Sequence, residues 1–218
     1  MASIPEQKVI LVGDFGVGKS SLFRRFMNDT FVSSADRKAT LGLDHYSKTF
    51  YVNNKALNIQ LFDTGGMERI ASVTSSYYKF AEVRDKNSIE PNPDQTPFQV
   101  AILVFSVDNA QSFHSLSQHL VDVTMWAESA KIFLCGNRAD LESEVSDFDM
   151  QQFCEQCHGL ISATFKTSCK NNEGVSEMFE EIAKSLVENK SSRLELQALE
   201  SHGFKVHPPE ENVENCAC

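Results

Sequence analysis

The chain has 218 residues, enough for one ordinary domain with a tail and too few for two large ones. Twenty Lys and Arg stand against 30 Asp and Glu, a net charge of -10 that repels phosphate backbones, so no nucleic acid is expected as a partner. A hydrophobic fraction of 41% with 23% charged residues can fill a single core and excludes both a disordered chain and a fibre.

In chain order, Lys8 to Val12 is a short apolar run closed by Gly13, the pattern of a strand buried on both faces of a parallel sheet. Gly18 to Asn28 is a helix candidate. Leu43 to Val52 and Lys55 to Phe62 predict two strands joined by the Asn53-Asn54 turn, hence an antiparallel hairpin at the sheet edge. Met67 to Phe80 is a further helix candidate. Glu82 to Pro97 is polar, carries Pro91, Pro93 and Pro97, and reads as a surface insertion. Ala101 to Val107 and Ile132 to Cys135 repeat the buried-strand pattern, with a helix over Ser112 to Trp126 between them. Asp149 to Cys157 is another helix candidate, and Val175, Met178, Phe179, Ile182 and Leu186 recur at helical steps of three and four. Beyond Glu188 large apolar residues thin out. Residues 1–187 therefore read as one domain with an insertion near 82–97, and 188–218 as a flexible tail. The alternation predicts a doubly wound α/β fold with a mixed sheet.

The longest apolar stretch, Val100 to Val107, is far short of the roughly 20 residues that cross a bilayer. The amino end has no basic lead before a long apolar run, so no secretory signal is expected, and Met1-Ala2 lacks the Gly that myristoylation needs. Six unevenly spread Cys in a core of this size point to reduced thiols and a cytosolic setting.

Chemistry concentrates in three places. Gly13-Asp14-Phe15-Gly16-Val17-Gly18-Lys19-Ser20 fits GxxxxGK[ST] directly after a strand and before a helix. Its glycines let backbone N–H groups wrap nucleotide phosphates at a helix start, Lys19 reaches the β- and γ-phosphates, and the Ser20 hydroxyl binds Mg²⁺. Asp63-Thr64-Gly65-Gly66 supplies a carboxylate for the metal shell and, at Gly66, an N–H for the γ-phosphate. Asn137-Arg138-Ala139-Asp140 ends a buried strand. The Asp140 carboxylate can accept from both N1–H and the exocyclic amine of guanine, a donor pair that adenine lacks on that edge, which selects GTP over ATP.

From Lys8 to Leu186 the chain resembles a small GTPase of the Ras superfamily, and specifically its Rab branch. The signature regions stand here as GDFGVGKS, Thr40, DTGGME, NRAD and Thr167-Ser168-Cys169-Lys170. The Rab assignment rests on Ala39 to Asp44, Asn58 to Arg69, Ser75 to Lys79 and the terminal Cys216-Ala217-Cys218. The resemblance implies a P-loop NTPase-like three-layer fold, a six-stranded mostly parallel sheet with one antiparallel edge strand and helices on both faces. It implies GTP/GDP and Mg²⁺ as ligands, with Thr40 completing the metal site, Ser21 beside the phosphates, Phe31 on the guanine ring, and Ser168, Cys169 and Lys170 lining the base pocket. It further implies a monomer that works with exchange factors, activating proteins, escort and GDI-type chaperones, and effectors. Two geranylgeranyl groups on Cys216 and Cys218 would hold it on the cytosolic face of an intracellular membrane, cycling from the cytoplasm in vesicle or organelle traffic. Thr40 and Gly66 touch the γ-phosphate and its metal only while that group is present, which makes a switch.

The chain departs from that pattern at Met67, where the family carries the Gln that orients the attacking water. A thioether cannot both accept from and donate to a water, so slow intrinsic hydrolysis is expected. Phe15 is bulky where the family keeps a small residue beside the γ-phosphate. The alternative reading is a constitutively GTP-bound interaction module with negligible turnover. Arg138 replaces the usual Lys but keeps its stem and charge. Cys154-Glu155-Gln156-Cys157-His158 spells C-x-x-C-H, for which chance pairing on a helix is the favoured account. His114 and His119 have no matching ligand spacing and are expected at the surface.

Overall fold

The computed structural model describes residues 4–32, 43–64, 98–127 and 129–201. In chain order its elements are β1 (Glu6–Val12), α1 (Lys19–Asn28), β2 (Leu43–Val52), β3 (Lys55–Thr64), β4 (Val100–Ser106), α2 (Ala110–His114), α3 (Leu116–Trp126), β5 (Lys131–Asn137), α4 (Asp147–Gln156), β6 (Ile161–Thr167) and α5 (Val175–Ser201). The strands form one six-stranded sheet in the order β2-β3-β1-β4-β5-β6. Only β2 runs antiparallel to its neighbour; the other pairs are parallel.

Strand composition explains this order. In β1, Val9, Ile10 and Leu11 are all fully buried, as are Ala101 to Phe105 in β4, because both faces of the sheet centre are covered. Alternate residues serve alternate layers. Val9, Leu11, Ile102, Val104, Phe133 and Cys135 pack with Leu22 and Phe26 of α1 and Met178, Phe179 and Ile182 of α5. Ile10, Ala101, Leu103, Phe105 and Leu134 pack on the other side with Phe113, Leu116, Val123 and Met150. The result is three layers, helix on sheet on helix. The expected hairpin is present between β2 and β3, paired from Leu43↔Thr64 to Val52↔Lys55. Asn53 and Asn54 both take positive φ, 49° and 61°, as a two-residue turn matched to strand twist requires.

Four differences from the sequence reading have local causes. The helix expected over Ser112 to Trp126 is two helices meeting at Ser115. Its hydroxyl donates to Gln111 O at 3.0 Å, competing with the backbone for that carbonyl. The helix expected from Asp149 begins at Asp147, because Ser146 is its cap. The Asp149 N–H donates to Ser146 Oγ at 3.1 Å and the Ser146 N–H to Asp149 Oδ2 at 2.9 Å. Strand β6 has no apolar run to announce it, since it alternates half-buried Ile161, Ala163 and Phe165 with exposed Ser162, Thr164 and Lys166. Finally, α5 continues to Ser201, past the boundary expected at residue 187. The expected helix Met67 to Phe80 and the insertion near 82–97 lie outside the described residues.

Candidate functional site

The phosphate-loop segment leaves β1 at Gly13 and enters α1 at Lys19. Gly13 and Gly18 sit at φ +148° and +101°, where side chains are strained, and space forbids one as well. A Cβ on Gly13 would overlap the Val104 carbonyl, and one on Gly18 would overlap the Asn137 amide. Gly18 gives α1 no side-chain cap and the first turn holds no acidic residue, so the dipole's positive end is left uncompensated.

Lys19 is 4% exposed and donates from Nζ to the carbonyls of Gly13 at 2.7 Å and Asp14 at 2.8 Å. Burial pulls its ammonium down to about 8, against the opposing fields of Asp63 and Asp14. Asp63, at the end of β3, is 1% exposed, and its Oδ1 has no hydrogen-bond partner. Burial pushes that carboxyl up to about 6, opposed by a hydrogen bond from Ser20 and by Lys19 and Arg24. A buried, orphaned carboxylate oxygen beside a serine hydroxyl fits a small hard cation with oxygen ligands. Among the described residues no group of three His, Cys, Asp or Glu could hold a metal. A magnesium ion held by one carboxylate, hydroxyls and substrate phosphates does not need such a group.

The second half of the site hangs from β5 and β6. Asn137, 1% exposed, donates from Nδ2 to the Val17 carbonyl at 2.9 Å, and its Oδ1 accepts from Thr167 Oγ1 and Cys169 Sγ, each at 3.3 Å. Asp140 Oδ1 accepts from Ser168 Oγ at 2.6 Å, and Lys170 Nζ lies 3.6 Å from its Oδ2. The serine hydrogen bond in particular holds the Asp140 carboxyl below the usual carboxylate range. Arg138, at φ 65°, donates to the Gly16 carbonyl and approaches Asp108 Oδ2 at 3.5 Å. A cavity of about 200 Å³ opens between these groups, lined by Gly18, Ser21, Phe31, Arg138, Asp140 and Lys170 among others. Its lining includes an aromatic ring and a carboxylate beside the phosphate loop. A larger cavity of about 760 Å³ lies elsewhere, between β2, α1 and α5, and contains none of these groups except the helix they share.

Most of the expected residues therefore converge, and some do not. Phe15 is 66% exposed and does not line the cavity. Thr40, Gly66, Met67, Cys216 and Cys218 lie outside the described residues. Cys154 and Cys157 are free thiols, and burial raises both thiol pKa values, which is the reverse of a metal-binding or reactive pair. His114 is exposed as expected, but His119 is not: it is 6% exposed and lies 2.8 Å from Asp14. Its position on the buried face of α3 shows only once that helix is docked. Thr167, which the sequence placed in the signature run without a role, is fully buried and donates to Asn137 Oδ1. No described helix is long and apolar enough to cross a membrane.

Comparison with known proteins finds a family and relatives for the chain. The family model described as "Ras family" matches residues 8–84 and 94–188. The break in that match falls inside the polar stretch read as an insertion. The chain is 31% identical to the Ypt/Rab-type GTPase ypt71 of Schizosaccharomyces pombe, over 97% of this chain and 96% of that one. It is 29% identical to Ras-related protein Rab-3C of Mus musculus, over 97% of this chain and 86% of the relative. It is also 32% identical to Ras-related protein SEC4 of Saccharomyces cerevisiae, over 83% and 75%.

Proposed function

The chain belongs to the Ras family, as a divergent small GTPase of its Rab branch, and from that premise we propose that it is a membrane-traffic switch whose own hydrolysis of GTP is slow. The observation that carries the nucleotide reading is the cavity beside the phosphate loop, where Phe31, Asp140 and Lys170 meet Gly18 and Ser21.

GTP enters as substrate. The Asp140 carboxylate, held ionised by Ser168, takes the two guanine donors, while Phe31 and the Arg138 stem cover the ring faces. Asn137 ties the base loop to the phosphate loop through Val17. Lys19, anchored on two carbonyls, presents its ammonium where β- and γ-phosphate charge develops as water attacks in line. Ser20, Asp63 and, by family resemblance, Thr40 would hold Mg²⁺, which neutralises phosphate charge when bound. Phosphoryl transfer is mostly positioning and electrostatics, so the step most exposed to loss is placement of the attacking water. Met67 stands where a water-orienting amide is expected, and Phe15 presents a ring at the loop surface. Helper proteins that supply an Arg and an amide in trans could still drive turnover.

Guanine nucleotide, regulators and effectors of the Rab type are the expected partners, and the cytosolic face of an intracellular membrane the expected place of action. Lipid on Cys216 and Cys218 rests on the family resemblance. Nucleotide extracted from the purified protein tests the reading. Guanine nucleotide is expected, enriched in GTP over what a fast hydrolase retains, and adenine nucleotide overturns it. Single-turnover hydrolysis at ordinary Ras-family rates without helper would reject the slow-hydrolysis part, whereas none at all would leave a GTP-loaded interaction module.

A further inference from the structure

His119 lies on the face of α3 that Leu116 and Val123 also bury, at 6% exposure. Its Nε2 is 2.8 Å from Asp14 Oδ1, across 105 residues of chain. A carboxylate only accepts, so Nε2 carries the hydrogen and donates it. The other ring nitrogen, Nδ1, is left buried with no hydrogen-bond partner. An imidazole nitrogen buried dry is unfavourable where a leucine would pack without penalty. Packing therefore does not account for the ring; its bond to Asp14 does.

Asp14 itself is a hazard in its place. It is an acid within the loop that cradles phosphates, and its main-chain carbonyl accepts from Lys19 Nζ at 2.8 Å. Its carboxylate is also close enough to act on the Lys19 ammonium electrostatically. Released from His119, that carboxylate could swing to capture the ammonium or face the phosphates, and either would oppose nucleotide binding. We propose that His119 is a positioning residue for nucleotide binding: it restrains the Asp14 side chain so that Lys19 stays available to phosphate. This inference rests on the reading of Lys19 as a phosphate ligand.

The test is release of a fluorescent methylanthraniloyl-GDP from the full chain, chased with excess GDP, in wild type, His119→Leu, His119→Gln, Asp14→Ala and the Asp14→Ala/His119→Leu double variant. His119→Leu should release GDP roughly three- to tenfold faster, the effect of one lost hydrogen bond. His119→Gln, which keeps an N–H donor, should stay near wild type. In the Asp14→Ala background His119→Leu should bring no further acceleration, since the competing carboxylate is gone. A merely structural histidine would give the same acceleration in both backgrounds, and that result overturns the proposal. If His119→Leu does not fold, Asp14→Asn decides: release no faster than wild type is expected, and faster release overturns the idea. Wild-type protein that takes up no GDP overturns the nucleotide reading and this inference with it, whereas uptake with equal effects in both backgrounds overturns this inference alone.

Discussion

The side-chain amide of Asn137 donates to the main-chain carbonyl of Val17 at 2.9 Å, joining the end of β5 to the phosphate loop 120 residues earlier. The same side chain accepts from Thr167 and Cys169, so one residue holds three segments in register. Asn137→Ala leaves the Val17 carbonyl and the Thr167 hydroxyl buried without this partner. A loss of about 2–3 kcal/mol is expected, or roughly 30- to 150-fold in nucleotide affinity if it falls on the bound state. Thermal melts and GDP titration of the variant check it; unchanged affinity would show that the tie is dispensable.

Asp140 sets the base. Asp140→Asn turns one of two acceptors into a donor, which mismatches guanine's two donors and matches a base that offers one donor and one carbonyl on that edge. The variant should lose GDP affinity by at least roughly tenfold while gaining for xanthosine diphosphate. Competition between the two nucleotides measures the change. Equal loss for both would mean that Ser168 and Lys170 need the charge more than the base does.

The capping box of α4 lies away from the cavity, and Asp149 and Ser146 are exposed. Ser146→Ala should therefore lower stability by about 1 kcal/mol and leave GDP release unchanged. Denaturant melts alongside release kinetics separate the two. A change in release would show that α4 communicates with the site.

Cys135, fully buried in β5, gives a pH dependence. Burial pushes its thiol from 9.0 up to about 12. Above pH 9 the unfolded chain gives up this proton and the folded one keeps it, so the unfolded state binds fewer protons and stability falls as pH rises. The decline belongs to the window between about 9 and 12. Cys135→Ala, though less stable at neutral pH through a small cavity, should lose stability less steeply across that window. Urea melts at stepped pH read the slope, and identical slopes in both proteins would reject the assignment.

Legibility from sequence followed how local each cause was. The phosphate loop, Asp63 and the Asn137 to Asp140 run are short strings whose chemistry needs those residues at those spacings, and the fold brings them together. The hairpin was readable because two consecutive Asn are among the few pairs that accept positive φ in succession. His119 was not readable, since its burial depends on how α3 docks against a loop 105 residues away. Strand β6 is harder to read because it lies at the sheet edge and buries only alternate residues in part, so it has no apolar run. The reach of α5 is hard to read because apolar content thins after residue 187, while the Leu, Glu, Lys and Gln from residue 188 to 201 still favour helix.

The strand order has a mechanical consequence. The phosphate loop follows β1 and the base loops follow β5 and β6, with β4 standing between. A nucleotide seated as proposed lies like a splint along the carboxyl edge, bracing both halves of the sheet at once. When it departs, the Asn137 and Arg138 side chains are left to span that gap, so the empty protein should breathe there first.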